Sequence, residues 1–90
     1  MRHHLQEVVE TVCCEALFAS RLPTGSHPGR PDLTFAIADA VRRHGGTRGC
    51  VGEMACAYGE NPENAATRMR WARSVVRQAM RTGTRNPPEP

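Results

Sequence analysis

Four cysteines and four histidines are the side chains in this chain that could bind a transition metal or form a nucleophile and its base. They are Cys13, Cys14, Cys50, Cys56, His3, His4, His27 and His44. Structural zinc sites draw their cysteines from closely spaced pairs with two or so residues between them. Cys13 and Cys14 are adjacent, whereas Cys50 and Cys56 lie too far apart on a helix to share one face. The spacing therefore predicts thiols that act as small core residues, with no metal site and no cofactor.

Nothing in the pattern favours catalysis. A cysteine and a histidine could meet through folding, but the sequence shows no elements that would build a pocket around them. We therefore predict that the protein is not an enzyme and has no small-molecule substrate. His3 and His4 could bind a metal weakly at the frayed start of a helix, and His44 is expected to interact with the end of its helix.

The length of 90 residues favours a single small domain with a limited core. The first residues lack the apolar segment of a signal peptide, and no apolar run is long enough to span a membrane. The expected location is therefore cytoplasmic, with reduced thiols and no membrane partner.

Charge is distributed unevenly between the two ends of the chain. All 12 basic residues are arginine, against 9 acidic residues. Six arginines and no acid lie between residues 64 and 88, whereas residues 5 to 15 contain three glutamates and no base. Two interpretations stay open: the first and last helices neutralise each other inside the fold, or the last helix presents a basic face to a partner.

Hydrophobic periodicity predicts an all-α fold of four helices. The expected helices span residues 4–20, 32–44, 47–58 and 62–81, and residues 82–90 form a disordered proline-rich tail. A loop over residues 21–31, with three prolines and two glycines, separates the first helix from the second. Asp32, Thr47 and Asn61 are candidate N-caps, Gly45 and Gly46 end the second helix, and Gly59 is expected just past the third.

The expected buried faces follow from the same spacing. On the first helix the apolar stripe is Leu5, Val8, Val9, Val12, Cys13, Ala16 and Leu17. Phe18 lies off this stripe and could either cover a second contact or remain partly exposed. On the third helix it is Val51, Met54, Ala55 and Tyr58, and on the fourth it is Ala65, Met69, Ala72, Val76 and Met80.

The last two helices have the pattern of a helix-turn-helix. Such a motif needs a small residue inside its first helix, a residue that tolerates left-handed backbone at the turn, and apolar residues inside the second helix. Ala55, Gly59 and the pair Ala65 and Met69 occupy these places. The sequence therefore predicts that the third and fourth helices form this motif.

Residues 53 to 77 resemble the C-terminal helix-turn-helix, region 4, of extracytoplasmic-function sigma factors. The resemblance is carried by Met54-Ala55, by Gly59, and by the run Ala65-Ala66-Thr67-Arg68-Met69-Arg70-Trp71-Ala72-Arg73. The chain departs from the family pattern at Glu60, Ala65 and Trp71. The whole chain is also similar to small helical proteins of actinobacteria, a likeness that implies no function.

The resemblance implies DNA binding or another role in transcription, with the fourth helix as the recognition helix. Glu63, Thr67 and Arg70 would then face base edges. The arginine stripe of Arg70, Arg73, Arg77 and Arg81 would contact phosphates, and Thr47 and Arg48 would contact the backbone at the start of the third helix. In the alternative interpretation, the same arginines form a solvated helix face and pair with Glu7, Glu10 and Glu15 of the first helix.

A second function hypothesis involves no nucleic acid. The chain could be a helical protein-interaction module or a homodimer, because a domain this small either has an economical core or gains stability from a partner or a second copy of itself. Trp71, the only tryptophan, either packs against the first helix or is exposed as an anchor for that partner.

Overall fold

The computed structural model describes the backbone of residues 2–84 and the side chains of residues 4–81, and that part of the chain is entirely helical and loop. Its elements are α1 (Arg2–Phe18), α2 (Arg30–Arg43), α3 (Thr47–Glu60) and α4 (Pro62–Thr84). The predicted all-α class with four helices is therefore confirmed. No helix within these residues is both apolar enough and long enough to cross a membrane. Residues 85–90 of the predicted tail lie outside the described residues, whereas 82–84 still belong to α4.

Helices α1 and α4 run in opposite directions along each other. Glu10, near the middle of α1, pairs with Arg77 late in α4, and the carbonyl of Phe18 at the end of α1 accepts from Arg68 early in α4. This pairing places the acidic helix beside the basic one. Their apolar faces meet between these contacts, where Cys14, Leu17, Met69, Ala72 and Val76 are all buried.

A second buried cluster joins α1 to α2 and α3 through small side chains. It consists of Ala16, Ala19, Ala40 and Cys50. Small residues let three helix backbones approach closely, which explains why Cys50 is fully buried on α3.

The α2–α3 connection is a Schellman motif. Gly45 and Gly46 have φ of 76° and 123°, and the Gly46 N–H donates to the carbonyl of Val41 over 2.8 Å. Glycine adopts this left-handed backbone without a Cβ clash. The predicted glycine stop of the second helix is confirmed.

Gly49 allows α3 to begin directly against the end of α2. A Cβ placed on Gly49 would lie 1.7 Å from the carbonyl oxygen of His44. No side chain fits at that distance, so the chain requires glycine there. Gly52, one turn later, has open space around it, so the close helix approach that explains Gly49 does not explain Gly52.

The predicted helix caps are only partly correct. Asn61 caps α4, because its Oδ1 accepts from the Asn64 N–H over 3.2 Å and Pro62 follows as the first helical residue. Asp32 is not a cap: α2 begins two residues earlier with Gly29 as its N-cap, and Asp32 lies in the first turn. Thr47 is the first residue of α3 and not its cap, which is Gly46.

The predicted face of α1 is wrong over its first half. Leu5, Val8 and Val9 are 65%, 47% and 45% exposed, although they continue the stripe that contains the buried Ala16. Phe18 lies off that stripe and is buried. The core clusters draw on this part of the chain only from Cys13 onward, so the stripe is covered over its second half alone.

The predicted face of α3 is also wrong in most positions. Val51, Ala55 and Tyr58 are exposed and Met54 is half-buried, whereas Cys50 supplies the buried contact. The glycines and alanines of α3 give it little hydrophobic periodicity, so its orientation follows from Gly49 and Cys50 instead. On α4 the predicted stripe is confirmed, with only Met80 partly exposed.

The α3–α4 connection is tighter than the predicted turn. Gly59 is helical, and Asn61 is the single residue between the two helices. The prediction that Gly59 follows α3 as a left-handed residue is therefore wrong. Ala55, expected where α4 would cross α3, is exposed, so the small residue does not serve close packing within this chain.

Candidate functional site

Arg68 organises the connection between α1 and α2. Its guanidinium donates from Nε to the carbonyl of Phe18 over 2.7 Å and from Nη1 to Thr24 Oγ1 over 2.7 Å. Nη2 donates to the carbonyls of Ser20 and Leu22, each over 2.9 Å. Partial burial lowers the pKa of Arg68. The planar fork of five donors suits this multiple contact better than an ammonium group would.

Trp71 contacts the same guanidinium through its ring. The Arg68 Cζ is 4.9 Å from the centroid of the Trp71 ring, and the indole N–H donates to the carbonyl of Ser26 over 2.8 Å. Trp71 is half-buried. The residue predicted as a partner-binding anchor therefore contacts the α1–α2 loop, and its only hydrogen-bond donor is used there.

The residues predicted to bind DNA fall in three places. Thr47 and Arg48 are exposed at the start of α3. Glu63, Thr67 and Arg70 are exposed on the first half of α4, where Arg70 Nη2 donates to Thr67 Oγ1 over 3.1 Å. Arg73, Arg77 and Arg81 continue the exposed face toward the end of α4.

Part of the arginine stripe faces the acidic side of α1. Arg77 Nε donates to Glu10 Oε2 over 2.9 Å, with the arginine side chain 61% exposed and the glutamate 28% exposed. An ion pair this accessible to water contributes about 0–1 kcal/mol. The alternative in which the first and last helices neutralise each other thus holds at this pair.

An open groove of about 720 Å³ is lined by two charged walls, which the Arg77–Glu10 pair joins at one point. Its α1 wall carries Glu7, Glu10 and Glu15, and its α4 wall carries Arg73 and Arg77. Between them the floor is less polar, with Thr11 at its rim: Met54 is half-buried and Tyr58 is exposed, whereas Cys14 and Met69 are only 4% and 9% exposed. The groove thus has an acidic edge, a basic edge and a soft, polarisable floor.

Phe18 packs against one residue of the floor, and Cys14 is another of its residues. The rings of Phe18 and Tyr58 stack with centroids 6.0 Å apart and planes inclined by 15°. Burial, and secondarily the Glu10 carboxylate, raises the pKa of Cys14 to about 11. Cys14 is therefore a neutral apolar surface at physiological pH rather than a nucleophile.

Sequence reasoning missed two features outside the groove. Arg68 is one of six arginines near the end of the chain, and no charge pattern distinguishes it from the others. Only its hydrogen bonds to the carbonyls of a loop more than forty residues away set it apart. Phe35 was not assigned to any face, and it is the most exposed large hydrophobic residue described, at 66%.

The thiols do not assemble with other ligands. Cys14 and Cys50 are buried, Cys13 is half-buried and Cys56 is exposed. Among the described residues, no three side chains of His, Cys, Asp or Glu converge on a point that could hold a metal ion. His44 is bonded through Nε2 to the carbonyl of Ala19 over 3.2 Å, so this ring nitrogen carries the proton.

Comparison of the chain with known proteins gave no match to a family model, a curated protein or a solved structure.

Proposed function

We propose that the protein is a helical protein-interaction module, whose binding surface is the groove between α1, α3 and α4. The observation that carries the proposal is a groove whose floor is accessible at the half-buried Met54 and at Tyr58 and whose walls carry opposite charge. Grooves of this kind bind the apolar face of an amphipathic helix, whose side chains replace water on the floor. Methionine fits apolar side chains of varied shape.

The charged walls restrict what the groove accepts. A uniformly anionic partner such as duplex DNA would meet Glu7, Glu10 and Glu15 along with Arg73 and Arg77. Like charges brought together at an interface oppose binding and act as a filter on partners. The preferred occupant is a helix with acidic residues along the edge that faces α4 and basic residues along the edge that faces α1.

Three designed helical peptides with the same leucine face test the proposal. One has glutamates on one edge and arginines on the other, one has glutamates on both edges, and one has arginines on both. We expect fluorescence anisotropy to show that the mixed peptide binds at least tenfold more tightly than the other two. Equal affinity for all three, or no binding, would exclude the groove as the interaction surface.

Two protein variants locate the binding. Thr11→Arg places a long side chain in the rim of the groove, between Glu7 and Glu15 on the same helix face, so that it fills the groove without disturbing α1. Ser74→Arg adds the same charge to an exposed position outside the groove lining. Thr11→Arg should abolish binding of the mixed peptide, and Ser74→Arg should preserve it.

DNA binding through a helix-turn-helix is the second candidate function. It is favoured by the exposure of Glu63, Thr67 and Arg70 on the first half of α4, together with Thr47 and Arg48 at the start of α3. Side chains at these two helix starts are the ones that such a motif uses for bases and phosphates.

Titration of mixed-sequence duplex DNA at low salt, repeated at higher salt, tests this second candidate. Binding that weakens as salt rises, and that is lost in the double variant Arg70→Ala with Arg73→Ala, would support it. The control is Arg21→Ala, which removes an exposed arginine of the loop. Absence of binding at low salt would exclude a nucleic-acid role, since even non-specific binding is detectable there.

A further inference from the structure

Two contacts define the register in which α1 and α4 lie against each other. Arg77 Nε donates to Glu10 Oε2 over 2.9 Å, and Arg68 Nε donates to the carbonyl of Phe18 over 2.7 Å. Because the helices are antiparallel, a step of one turn, or about four residues, back along α4 corresponds to one turn forward along α1.

Arg73 lies where this register provides no acidic partner. One turn away from the Arg77–Glu10 pair, the α1 residue on the level of Arg73 is Cys14, which is buried. The next acidic residue, Glu15, points about 100° further round α1. Among the side chains that the structure describes, residues 4–81, none forms an ion pair or hydrogen bond with the Arg73 guanidinium.

The charge of Arg73 acts on the floor of the groove. Burial, followed by the Glu10 carboxylate, raises the pKa of Cys14 to about 11, and Arg73 opposes this rise more strongly than Arg77 does. Because the effect of a charge weakens with distance, this order indicates that Arg73 is the nearer of the two arginines to the thiol. An exposed and unpaired cation thus lies beside the buried, neutral part of the floor.

Arg77 is less available to a partner than Arg73. Its Nε already donates to Glu10, so a carboxylate of the partner would compete with Glu10 for the same guanidinium. A carboxylate that binds Arg73 displaces no existing ion pair. An occupant that covers Arg73 without offering a carboxylate would leave an unpaired cation beneath the interface, which opposes binding.

We propose that Arg73 is the specificity-determining residue of the groove and binds a single carboxylate of the partner helix; this inference rests on the proposed function. The guanidinium donates two parallel hydrogen bonds to that carboxylate. The acidic residue lies three or four positions from an apolar residue that covers Met54 and Tyr58, because that spacing places both on neighbouring parts of one helix surface. Further acidic residues facing Arg77 add little, since Glu10 holds it.

A double-mutant cycle with the mixed-edge peptide tests this assignment. Fluorescence anisotropy compares the unaltered chain with Arg73→Gln, and the mixed-edge peptide with versions in which one glutamate at a time is replaced by glutamine. Arg73→Gln should weaken binding about tenfold, and one glutamine version should weaken it by about the same factor. The two losses should not add when combined, because both substitutions remove the same contact.

Two control variants separate this contact from the overall charge of α4. Arg70→Gln removes the same charge from an exposed position outside the groove lining. Glu10→Gln combined with Arg77→Gln removes the existing ion pair without changing the net charge. Each control should bind the mixed-edge peptide within about threefold of the unaltered chain. Circular dichroism verifies that every variant is folded, and Arg73→Ala replaces Arg73→Gln if the latter is not.

Three results would overturn the inference: Arg73→Gln binds the peptide as tightly as Arg70→Gln, the Glu10 and Arg77 double variant loses as much affinity as Arg73→Gln, or no single glutamate of the peptide couples to Arg73. In all three the unaltered chain still binds the peptide, so the interaction module stands. If the unaltered chain does not bind the mixed-edge peptide, the proposed function fails and this inference fails with it.

Discussion

Arg68 and Trp71 form a cation–π pair in which the guanidinium carbon lies 4.9 Å from the indole centroid. Both side chains also donate to carbonyls of the loop between α1 and α2, so one turn of α4 holds a segment that has no regular structure of its own. The pair therefore supplies hydrogen-bond donors to the loop carbonyls of Ser20, Leu22 and Ser26.

Substitution of Arg68 should destabilise the fold far more than substitution of its exposed neighbours. Arg68→Ala removes four hydrogen bonds and leaves partly buried carbonyls without donors, so we expect a loss of about 3 kcal/mol. Arg68→Lys keeps the positive charge but not the planar set of five donors, so the free energy of unfolding should fall by about 2 kcal/mol. Urea unfolding followed by Trp71 fluorescence measures both. Arg70→Ala is the control, with an expected change within about 0.5 kcal/mol; equal effects at the two positions would contradict this role.

Two glycines of α3 should respond to alanine in opposite directions. At Gly49 the added Cβ would meet the His44 carbonyl at 1.7 Å, so the α2–α3 contact must open, at a cost of about 2 kcal/mol or more. At Gly52 the added Cβ meets open space, and alanine should stabilise the helix by about 0.5–1 kcal/mol. The melting temperatures of the two variants test this prediction: that of Gly49→Ala should fall and that of Gly52→Ala should rise. A shift of both melting temperatures in the same direction would contradict it.

Removal of the α4 cap should have a smaller and local effect. Asn61→Ala leaves the Asn64 N–H without its side-chain acceptor, with an expected loss of about 1 kcal/mol. Asn61→Asp keeps an acceptor and adds a negative charge at the helix start, so its stability should equal or exceed that of the unaltered chain. Chemical denaturation compares the two, and an Asp variant as unstable as the Ala variant would argue against capping.

Stability should fall in alkaline solution through the Cys14 thiol. Its pKa in the folded protein is raised to about 11 from the ordinary 9.0. The unfolded chain therefore loses this proton first, and the stabilisation present below pH 9.0 is lost progressively as the pH rises toward 11. Melting temperatures across this range should decline less steeply in Cys14→Ala than in the unaltered chain. If melting temperature declined with pH equally steeply in both proteins, Cys14 would not contribute to the loss of stability.

Sequence periodicity predicted α4 well because its apolar residues are large enough and regular enough to determine one face. The same method failed on α3, where small residues carry little information on orientation and the packing follows from the space around Gly49. It failed on the first half of α1 for another reason. An apolar stripe indicates that a face can be buried, but the placement of the neighbouring helices decides whether anything covers it.

The candidate site was less accessible to sequence reasoning than the fold. The arginines of α4 look alike in sequence, yet Arg68 holds a loop, Arg77 pairs with Glu10 and Arg70 is exposed. These differences depend on contacts between residues far apart in the chain. The groove itself could not be predicted, because its floor draws on three helices whose relative placement no local pattern specifies.

The bonds from Arg68 to the loop join residues 44 to 50 positions apart. The loop that they hold precedes α2 and α3 in the chain, but its anchoring residue follows both. During synthesis the loop therefore has no donor for its carbonyls until the final helix has emerged from the ribosome and folded onto α1. Ordering of this loop is thus a late event in folding, since its contacts carry the entropy cost of closing about half of the chain.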